Sequence, residues 1–333
     1  MLLFFYWMKA MHGLQVFNSK VTVSLESPLF RRVRIIASEQ ASPGSGELEY
    51  TLSSSIQFYS NYLDWFYQTF STTEGELRDA LFTELPLRAG MRVLLTGVGL
   101  GQELFYLLEL VGAHKLSDVE IYAQDFSPLF VDYIASQLIE YPGLESHQQL
   151  NTNVYLFHGD AVTLPLHDGH FDYCHHFGGI NRFSSTQKAV SEMARVLKVD
   201  ESSRVMFSDE SVAPWLRTTE LGKMVIENNA LYGACAPLDI LPPTASGVKI
   251  EWICQNCFYK ISFGTTFSPA CIDPRVRHKS PRGGSMYSRY YGKLEGVDPD
   301  LKKRLNSYAT SSGTPISDLL SECITTYLDR YSA

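Results

Sequence analysis

Three glycines at every second position, Gly97, Gly99 and Gly101, follow an apolar run in the segment VLLTGVGLGQE. A glycine-rich loop between a strand and a helix lets the backbone approach a nucleotide-like ligand, and the following helix aims amide groups at it. The dinucleotide fingerprint G-x-G-x-x-G would need a third glycine where Gln102 stands, and no G-K-[ST] follows. The spacing therefore disfavours a pyrophosphate site and excludes a P-loop.

Two acidic residues follow the next two predicted strands. Asp125 ends the run EIYAQD, and Asp160 comes directly after NVYLFHG. In a sheet whose strands alternate with helices, ligands bind beyond the carboxyl ends of the strands, so both carboxylates are expected beside the glycine loop. Each also has a local interpretation, Asp125 as a helix cap and Asp160 as a turn residue. The ordered series of one loop and two acids favours a bound cofactor.

The glycine loop and the two acids together resemble the class I S-adenosylmethionine-dependent methyltransferases, of the ubiquinone/menaquinone-methyltransferase-like kind. The resemblance covers about residues 55 to 265 and includes the runs HGDAVTLP, FDY and AVSEMARVLK. It implies that Asp125 takes the ribose hydroxyls, that Asp160 takes the adenine amino group, and that the cofactor is S-adenosylmethionine. The implied cofactor-binding residues are Thr96, Gly97, Gly99, Gly101, Glu103, Asp125, Phe126, Asp160, Ala161 and His176.

One position departs from the pattern of that family. The family commonly carries an acid two residues before the first glycine, where it helps to orient the loop and the methionyl amino group. Leu95 occupies this position. Either Thr96 and backbone carbonyls take the ammonium group instead, or Glu103 reaches back from the following helix.

Residues for the chemistry itself are expected after the fourth and fifth strands of the pattern. A methyltransferase positions the nucleophile in line, removes water and takes a proton where the acceptor requires it. The segment HHFGGIN supplies His175 and His176, and the alternation of a strand buries one and turns the other towards the pocket. A structural role is favoured for both histidines because no partner acid can be placed. Asp209 and Glu210 are further candidate bases, with a solvated loop or a helix cap as their alternative.

Aromatic residues recur at helical spacing in SSIQFYSNYLDWFYQTF. The pattern predicts a helix packed on the core, with an aromatic lid over a ligand pocket as the alternative. In the lid interpretation Tyr59, Tyr62 and Trp65 face the acceptor, together with Asn181 from the HHFGGIN segment. These side chains favour a small hydrophobic or aromatic methyl acceptor.

Cysteine usage indicates neither a metal site nor a disulfide framework. Cys254 and Cys257 form a CQNC, with Cys271 and His278 downstream, but the CxxC lies in a strand–turn–strand pattern and no second CxxC follows. We therefore predict that no metal is bound. Six scattered cysteines in the chain favour a reducing cytoplasm.

Strand and helix patterns alternate from Arg88 onward and end in a pair of strands. They predict an α/β, Rossmann-like, doubly wound and mostly parallel seven-stranded sheet with an antiparallel terminal hairpin. We expect an N-terminal extension and linker over residues 1–48, a methyltransferase domain with its lid helix over 49–267, and a linker with a small β-α-α module over 268–333. The apolar start MLLFFYWM is too short to span a bilayer and lacks the features of a secretory signal, so no membrane association is expected.

The C-terminal segment carries a second resemblance. MYSRYYGKLEGV reads as a strand, and two amphipathic helices separated by Gly313 follow it. This order resembles the ribbon-helix-helix module and implies a homodimer through residues 286–330. In DNA-binding members the strand enters the major groove, but Gly292 and Glu295 interrupt a basic ribbon here. The net charge of -8 further favours dimerisation over DNA binding, and a helical appendage on the same chain is the alternative.

The 333 residues, 45% of them hydrophobic, suit one large or two moderate globular domains. The sequence predicts a cytoplasmic S-adenosylmethionine-dependent methyltransferase of a small molecule. Two alternatives stay open: a DNA-associated regulator that retains a cofactor-binding domain, and a nicotinamide-dependent oxidoreductase, which Gln102 disfavours.

Overall fold

A computed structural model of the protein describes residues 15–18, 21–27, 29–35, 54–279 and 283–331. Contacts divide the chain into two units, Met1–Pro269 and Ala270–Ala333. The apolar start MLLFFYWM and the Ser/Pro/Gly linker lie outside the described residues.

The first unit is built on one sheet with helices between its strands. The strands are β1 (Val21–Leu25), β2 (Phe30–Ile35), β3 (Arg92–Thr96), β4 (Glu120–Asp125), β5 (Asn153–His158), β6 (Tyr173–Phe177), β7 (Arg204–Glu210), β8 (Ala245–Ile253) and β9 (Phe258–Thr265). The helices are α1 (Ser54–Thr69), α2 (Glu74–Leu81), α3 (Gln102–Ala113), α4 (Pro128–Ile139), α5 (Leu144–Gln149), α6 (Thr186–Val196) and α7 (Glu220–Asn228).

Within the described residues nine strands form this sheet, in the order β1-β2-β5-β4-β3-β6-β7-β9-β8. The strands from β2 to β7 run parallel, whereas β1, β8 and β9 pair antiparallel with their neighbours. The strand order reverses beside β3, between β4 and β6, and this reversal is where doubly wound sheets bind ligands. The Rossmann-like α/β fold predicted from the sequence is confirmed.

Two apolar clusters cover the two faces of the sheet. Successive side chains of a strand point to opposite faces, and in β3 Val93 and Leu95 join one cluster while Leu94 joins the other. Leu95 lies in the same cluster as Phe66 of α1 and Leu104 of α3. The position at which the resemblance leads us to expect an acid is therefore a core position in this chain.

The expected separation of residues 1–48 from the domain that follows is wrong for the two N-terminal strands. All seven predicted strands are present as β3–β9, and β1 and β2 extend the same sheet beyond β5. Phe30 is fully buried, Val33 is nearly so, and β2 pairs in parallel with β5 from Phe30 to Val33. This pairing satisfies backbone groups that an edge strand would leave open.

The predicted C-terminal strand is also wrong, because Met286–Tyr291 forms helix α8. Ser285 Oγ accepts a hydrogen bond from Ser288 N–H at 3.2 Å, and Ser288 Oγ accepts one from Ser285 N–H at 2.9 Å. These reciprocal caps satisfy N–H groups that the start of a helix leaves unpaired. The second unit is therefore built of helices, and a ribbon that reads DNA has no counterpart in its described part.

Helices α9 (Pro299–Ser312) and α10 (Ile316–Tyr331) follow, and Gly313 ends the first of them as predicted. Their exposed apolar side chains are Leu301, Tyr308, Ile324, Tyr327, Leu328 and Tyr331. The homodimer through residues 286–330 was expected partly because a lone strand would be unpaired, and this reason no longer applies because the segment is a helix. The homodimer stays a prediction. No helix among the described residues is long and apolar enough to cross a membrane.

A buried carboxylate at the start of β6 joins three neighbouring segments. Asp172 accepts hydrogen bonds from Arg92 N–H at 2.8 Å, Lys198 Nζ at 2.7 Å and Arg88 Nη2 at 2.5 Å. Its side chain is 1% exposed. Removing it would leave the Arg92 N–H without its acceptor, whereas Arg88 and Lys198 are 46% and 34% exposed and can bond to solvent.

We predict that Asp172→Ala lowers the free energy of unfolding by about 1–3 kcal/mol, chiefly because the Arg92 N–H loses its acceptor. Denaturant unfolding followed by circular dichroism measures this. Asp168→Ala is the control, because Asp168 is 77% exposed where it pairs with Arg195, and its loss should cost about 0–1 kcal/mol. Equal losses in the two variants would contradict the role of Asp172.

Candidate functional site

The loop after β3 adopts a backbone that favours glycine. Gly97, Gly99 and Gly101 have φ values of 61°, 50° and 91°, which side chains of L residues rarely adopt. A Cβ at Gly97 would lie 2.9 Å from Cε1 of His176, whereas a Cβ at Gly99 would meet nothing within 4 Å. Gly97 therefore permits close packing, and Gly99 borders open space.

Asp125 ties this loop to the end of the neighbouring strand. Its Oδ2 accepts a hydrogen bond from Gly99 N–H at 2.8 Å, and its Oδ1 accepts one from Ser127 N–H at 2.7 Å. Burial raises the pKa of Asp125 to about 6, although these hydrogen bonds and nearby His158 act in the opposite direction. The carboxylate therefore holds the turn before α4, whose N-cap is Ser127 rather than Asp125, and it also lines the cavity beside Gly99. Its role towards the ribose stays a prediction.

Gln124 links the glycine loop to the turn that carries Asp160. Its side-chain oxygen accepts from Gly97 N–H at 3.4 Å, and its side-chain nitrogen donates to the carbonyl oxygen of Gly159. Asp160 Oδ1 accepts from Val162 N–H at 3.0 Å, and the intervening Ala161 is buried. Three turns at neighbouring strand ends are thus held together.

The two adjacent histidines of β6 have different surroundings. His175 is buried and stacks on Phe82, with ring centroids 4.4 Å apart, and its ring nitrogens have no hydrogen-bond partner in the described part of the chain. The Nδ1 of His176 lies 2.9 Å from the carbonyl oxygen of Thr96, so that nitrogen donates and Nε2 is left as an acceptor. Burial lowers the pKa of both rings, which keeps them neutral near pH 7.

Two adjacent carboxyl groups end β7. Asp209 accepts hydrogen bonds from the backbone N–H groups of Gly179, Asn181 and Glu210. Burial, together with the neighbouring Asp209, raises the pKa of Glu210 to about 9. Burial and the nearby Glu210 also raise the pKa of Tyr62 to about 12. At neutral pH the Asp209–Glu210 pair therefore holds a proton, which Glu210 shares with Asp209 through a hydrogen bond.

A cavity of about 450 Å³ joins the glycine loop, the acids and α1, and its size suits a cofactor or a small ligand. The cavity brings together ten residues predicted for the site. They are Tyr59, Tyr62, Gly97, Gly99, Glu103, Asp125, Phe126, Asp160, Ala161 and His176.

Five other predicted residues do not line this cavity. Thr96 is turned inward, where its hydroxyl donates to the carbonyl oxygen of His175 at 3.2 Å. His175 stacks on Phe82, Gly101 precedes α3, and Trp65 is 42% exposed. Asn181 contributes its backbone N–H to Asp209 rather than a side chain to the cavity wall.

The structure confirms that α1 is a helix packed on the core, and its role as a lid over an acceptor stays a prediction. Phe66 is buried and packs in the core, and Phe58, Tyr59 and Tyr62 line the cavity. Among the residues that the sequence did not indicate, Arg78 of α2 and Phe258 of β9 also line it. No motif marks them, because only the packing of α2 and the hairpin brings them here.

Metal binding has no support in the described residues. No group of three or more histidine, cysteine, aspartate or glutamate side chains in this part of the chain could hold an ion. Cys254 and Cys257 flank the predicted turn between β8 and β9. The absence of a metal stays a prediction.

Residues 94–201 match the family model described as "Methyltransferase domain". Over 121 residues the chain is 30% identical to demethylmenaquinone methyltransferase of Staphylococcus haemolyticus, which covers 36% of this chain and 45% of that protein. The chain thus spans less than half the length of this curated relative.

Solved structures provide more distant similarities. A SAM-dependent methyltransferase from Aquifex aeolicus is 20% identical, with a TM-score of 0.37 and coverage of 56% of this chain and 88% of that one. Phosphoethanolamine N-methyltransferase 2 of Haemonchus contortus, in complex with S-adenosyl-L-methionine, is 13% identical, with a TM-score of 0.46. That similarity covers 71% of this chain and 62% of the other.

The loop geometry predicts different costs for two alanine substitutions. Both positions have positive φ, so each alanine should lose about 1–2 kcal/mol of stability from the left-handed backbone. Gly97→Ala adds the contact with His176, and we expect its total loss to exceed that of Gly99→Ala by about 1 kcal/mol or more. Chemical unfolding of both variants measures the difference, and a larger loss in Gly99→Ala would contradict this geometry.

Proposed function

We propose that this chain, which carries a class I S-adenosylmethionine-dependent methyltransferase domain, transfers a methyl group to a small hydrophobic or aromatic acceptor. The cofactor of this domain family is S-adenosylmethionine. The observation that carries the proposal is the single cavity in which the glycine loop, Asp125, Asp160 and the aromatic face of α1 meet.

The residues of the cavity fit an adenosine-containing ligand. Gly99 borders open space where any side chain would project, and the Asp125 carboxylate is fixed beside it. A carboxylate in this position can accept hydrogen bonds from two ribose hydroxyls. Asp160 and the small, buried Ala161 line the same side of the cavity. The Asp160 carboxylate can accept a hydrogen bond from the edge of an adenine ring, and Ala161 leaves room for the face of that ring.

The bound cofactor supplies an electrophilic methyl carbon on a sulfonium centre. The chain positions the acceptor, excludes water and holds protons. Phe66, Phe177 and Phe258 form an apolar wall that removes water from the acceptor, with Tyr62 beside them. His176 offers a neutral ring whose Nε2 has no partner among the described residues and can accept an acceptor proton.

Glu210 and Tyr62 set the polarity of the acceptor end. Both line the cavity, and at neutral pH both carry their protons, because burial raises the two pKa values. Tyr62 can therefore donate a hydrogen bond to an oxygen of the acceptor, while the single carboxyl proton of Glu210 is shared with Asp209. Such a wall suits an uncharged acceptor with an apolar body better than a cationic amine. The demethylmenaquinone methyltransferase relative is consistent with this class of acceptor.

The first test concerns Asp125. We predict that S-adenosylhomocysteine binds the full chain, and that Asp125→Ala weakens binding by about 1–3 kcal/mol through the loss of charge-assisted hydrogen bonds. Because the pKa of Asp125 is raised to about 6, the wild-type affinity should fall as the pH drops below 6. Isothermal titration calorimetry between pH 5 and 8 measures both effects.

Asp132→Ala is the matched control, since Asp132 is an exposed carboxylate that pairs with Arg32 outside the cavity. It should bind S-adenosylhomocysteine with wild-type affinity. An Asp125→Ala variant that is folded and binds as tightly as this control would contradict the assigned role.

The second test concerns the proton on Glu210. Its pKa rises from 4.5 to about 9 in the folded chain. Folding is therefore accompanied by the uptake of a proton at pH values between about 4.5 and 9. The stability that this proton contributes is complete below about 4.5 and is lost as the pH rises through 9. We predict that Glu210→Gln flattens the fall in unfolding free energy between pH 6 and 9.

Denaturant unfolding at several pH values measures this slope. Glu227→Gln, at an exposed position of α7, is the control and should keep the wild-type slope. A Glu210→Gln variant with an unchanged slope would show that Glu210 is ionised at neutral pH.

A further inference from the structure

Two oppositely charged side chains lie side by side in the wall of the cavity. Arg78 of α2 is 1% exposed and Glu103 of α3 is 8% exposed, and Arg78 Nε lies 3.2 Å from Glu103 Oε1. Both residues line the cavity. Glu103 lies in the first turn of α3, directly after the glycine loop.

The pair is incomplete within the protein. Arg78 Nη1 is buried and has no hydrogen-bond partner in the part of the chain that the structure describes. The guanidinium also lies over the ring of Phe177, 5.5 Å from its centroid. A buried guanidinium with an unused donor costs free energy. An unused donor in a cavity wall therefore points to an anionic group of a ligand.

We infer that Arg78 and Glu103 hold the amino-acid end of the cofactor, Arg78 its carboxylate and Glu103 its ammonium group. The inference rests on the proposed function, because it presupposes an S-adenosylmethionine-like ligand in this cavity. In the family that the sequence resembles, an acid at the position of Leu95 helps to orient the methionyl amino group. In this chain, we assign the binding of the amino-acid end to one residue of α2 and one of α3.

The surroundings of Leu95 exclude a polar contact from its own side chain. Leu95 is 1% exposed and belongs to the apolar cluster that also contains Leu77 and Leu81 of α2 and Leu104 of α3. The other alternative was Thr96 together with backbone carbonyls. The Thr96 hydroxyl is turned away from the cavity towards His175, so only the carbonyls of the loop compete with Glu103 for the ammonium group. Glu103 is thus the acid nearest in sequence to the glycine loop that also lines the cavity.

Charge balance also supports this assignment. The amino-acid end of the ligand is a zwitterion, with one negative and one positive group. Arg78 and Glu103 present the opposite arrangement, so binding adds no net charge to the interior. Each buried charge gains a second partner of opposite sign, which offsets part of its desolvation cost. An arginine also binds a carboxylate through two parallel N–H groups.

Three ligands distinguish the binding of the amino-acid end by Arg78 and Glu103 from a general effect of the substitutions on the shape of the cavity. S-adenosylhomocysteine has the complete amino-acid end, decarboxylated S-adenosylmethionine lacks the carboxylate, and 5′-methylthioadenosine lacks the whole amino-acid end. Calorimetry with the full-length chain gives the affinity of each ligand without any methyl acceptor.

Arg78→Ala should weaken binding of S-adenosylhomocysteine by about 10- to 100-fold and leave that of 5′-methylthioadenosine unchanged. Its effect on decarboxylated S-adenosylmethionine should be small. Glu103→Gln should weaken both ligands that carry the ammonium group. Arg92→Ala is the matched control, because Arg92 pairs with Glu120 away from the cavity.

Circular dichroism confirms that each variant is folded. Should Arg78→Ala not fold, Arg78→Lys takes its place, because lysine keeps the charge but loses the two-pronged contact. Equal weakening of S-adenosylhomocysteine and 5′-methylthioadenosine would overturn the inference and leave the pair a purely structural role. Wild-type protein that binds none of the three ligands would instead refute the proposed function.

Discussion

The hydrogen bond from Gly99 N–H to the Asp125 carboxylate joins the loop between β3 and α3 to the end of the neighbouring strand β4. It requires the left-handed backbone at Gly99 and the parallel register that pairs Thr96 with Gln124. Gln124 then ties the same loop to the turn before Asp160. These contacts meet at the reversal of strand order, where doubly wound sheets bind ligands. The topology of the sheet therefore fixes the floor of the cavity, which we define as Gly97, Gly99, Asp125 and Asp160.

Much of this floor could be predicted from sequence, because its residues adjoin strand ends. Runs of apolar residues predict central buried strands, and these runs include Val93, Leu95 and Ile121. The polar residues that follow such parallel strands lie at one edge of the sheet. Asp125 and Asp160 are therefore brought together by topology, whatever the details of the helices. The same reasoning places one histidine of β6 on the cavity and the other in the core, and this is the observed arrangement.

The remaining features depend on packing that no local pattern encodes. The partnership of β2 with β5 joins segments more than a hundred residues apart. Met286–Tyr291 has the aromatic composition of a strand, yet the reciprocal hydrogen bonds of Ser285 and Ser288 start a helix there. Arg78 carries no motif, and the proton on Glu210 depends on burial beside Asp209.

Native mass spectrometry of the full chain, incubated with equal concentrations of S-adenosylhomocysteine and NADH, tests the central claim most directly. The architecture predicts one S-adenosylhomocysteine per chain and no retained NADH, because the loop and its acids fit a single adenosyl group and Gln102 replaces the glycine that a pyrophosphate needs. A chain that retains NADH and excludes S-adenosylhomocysteine would contradict the account.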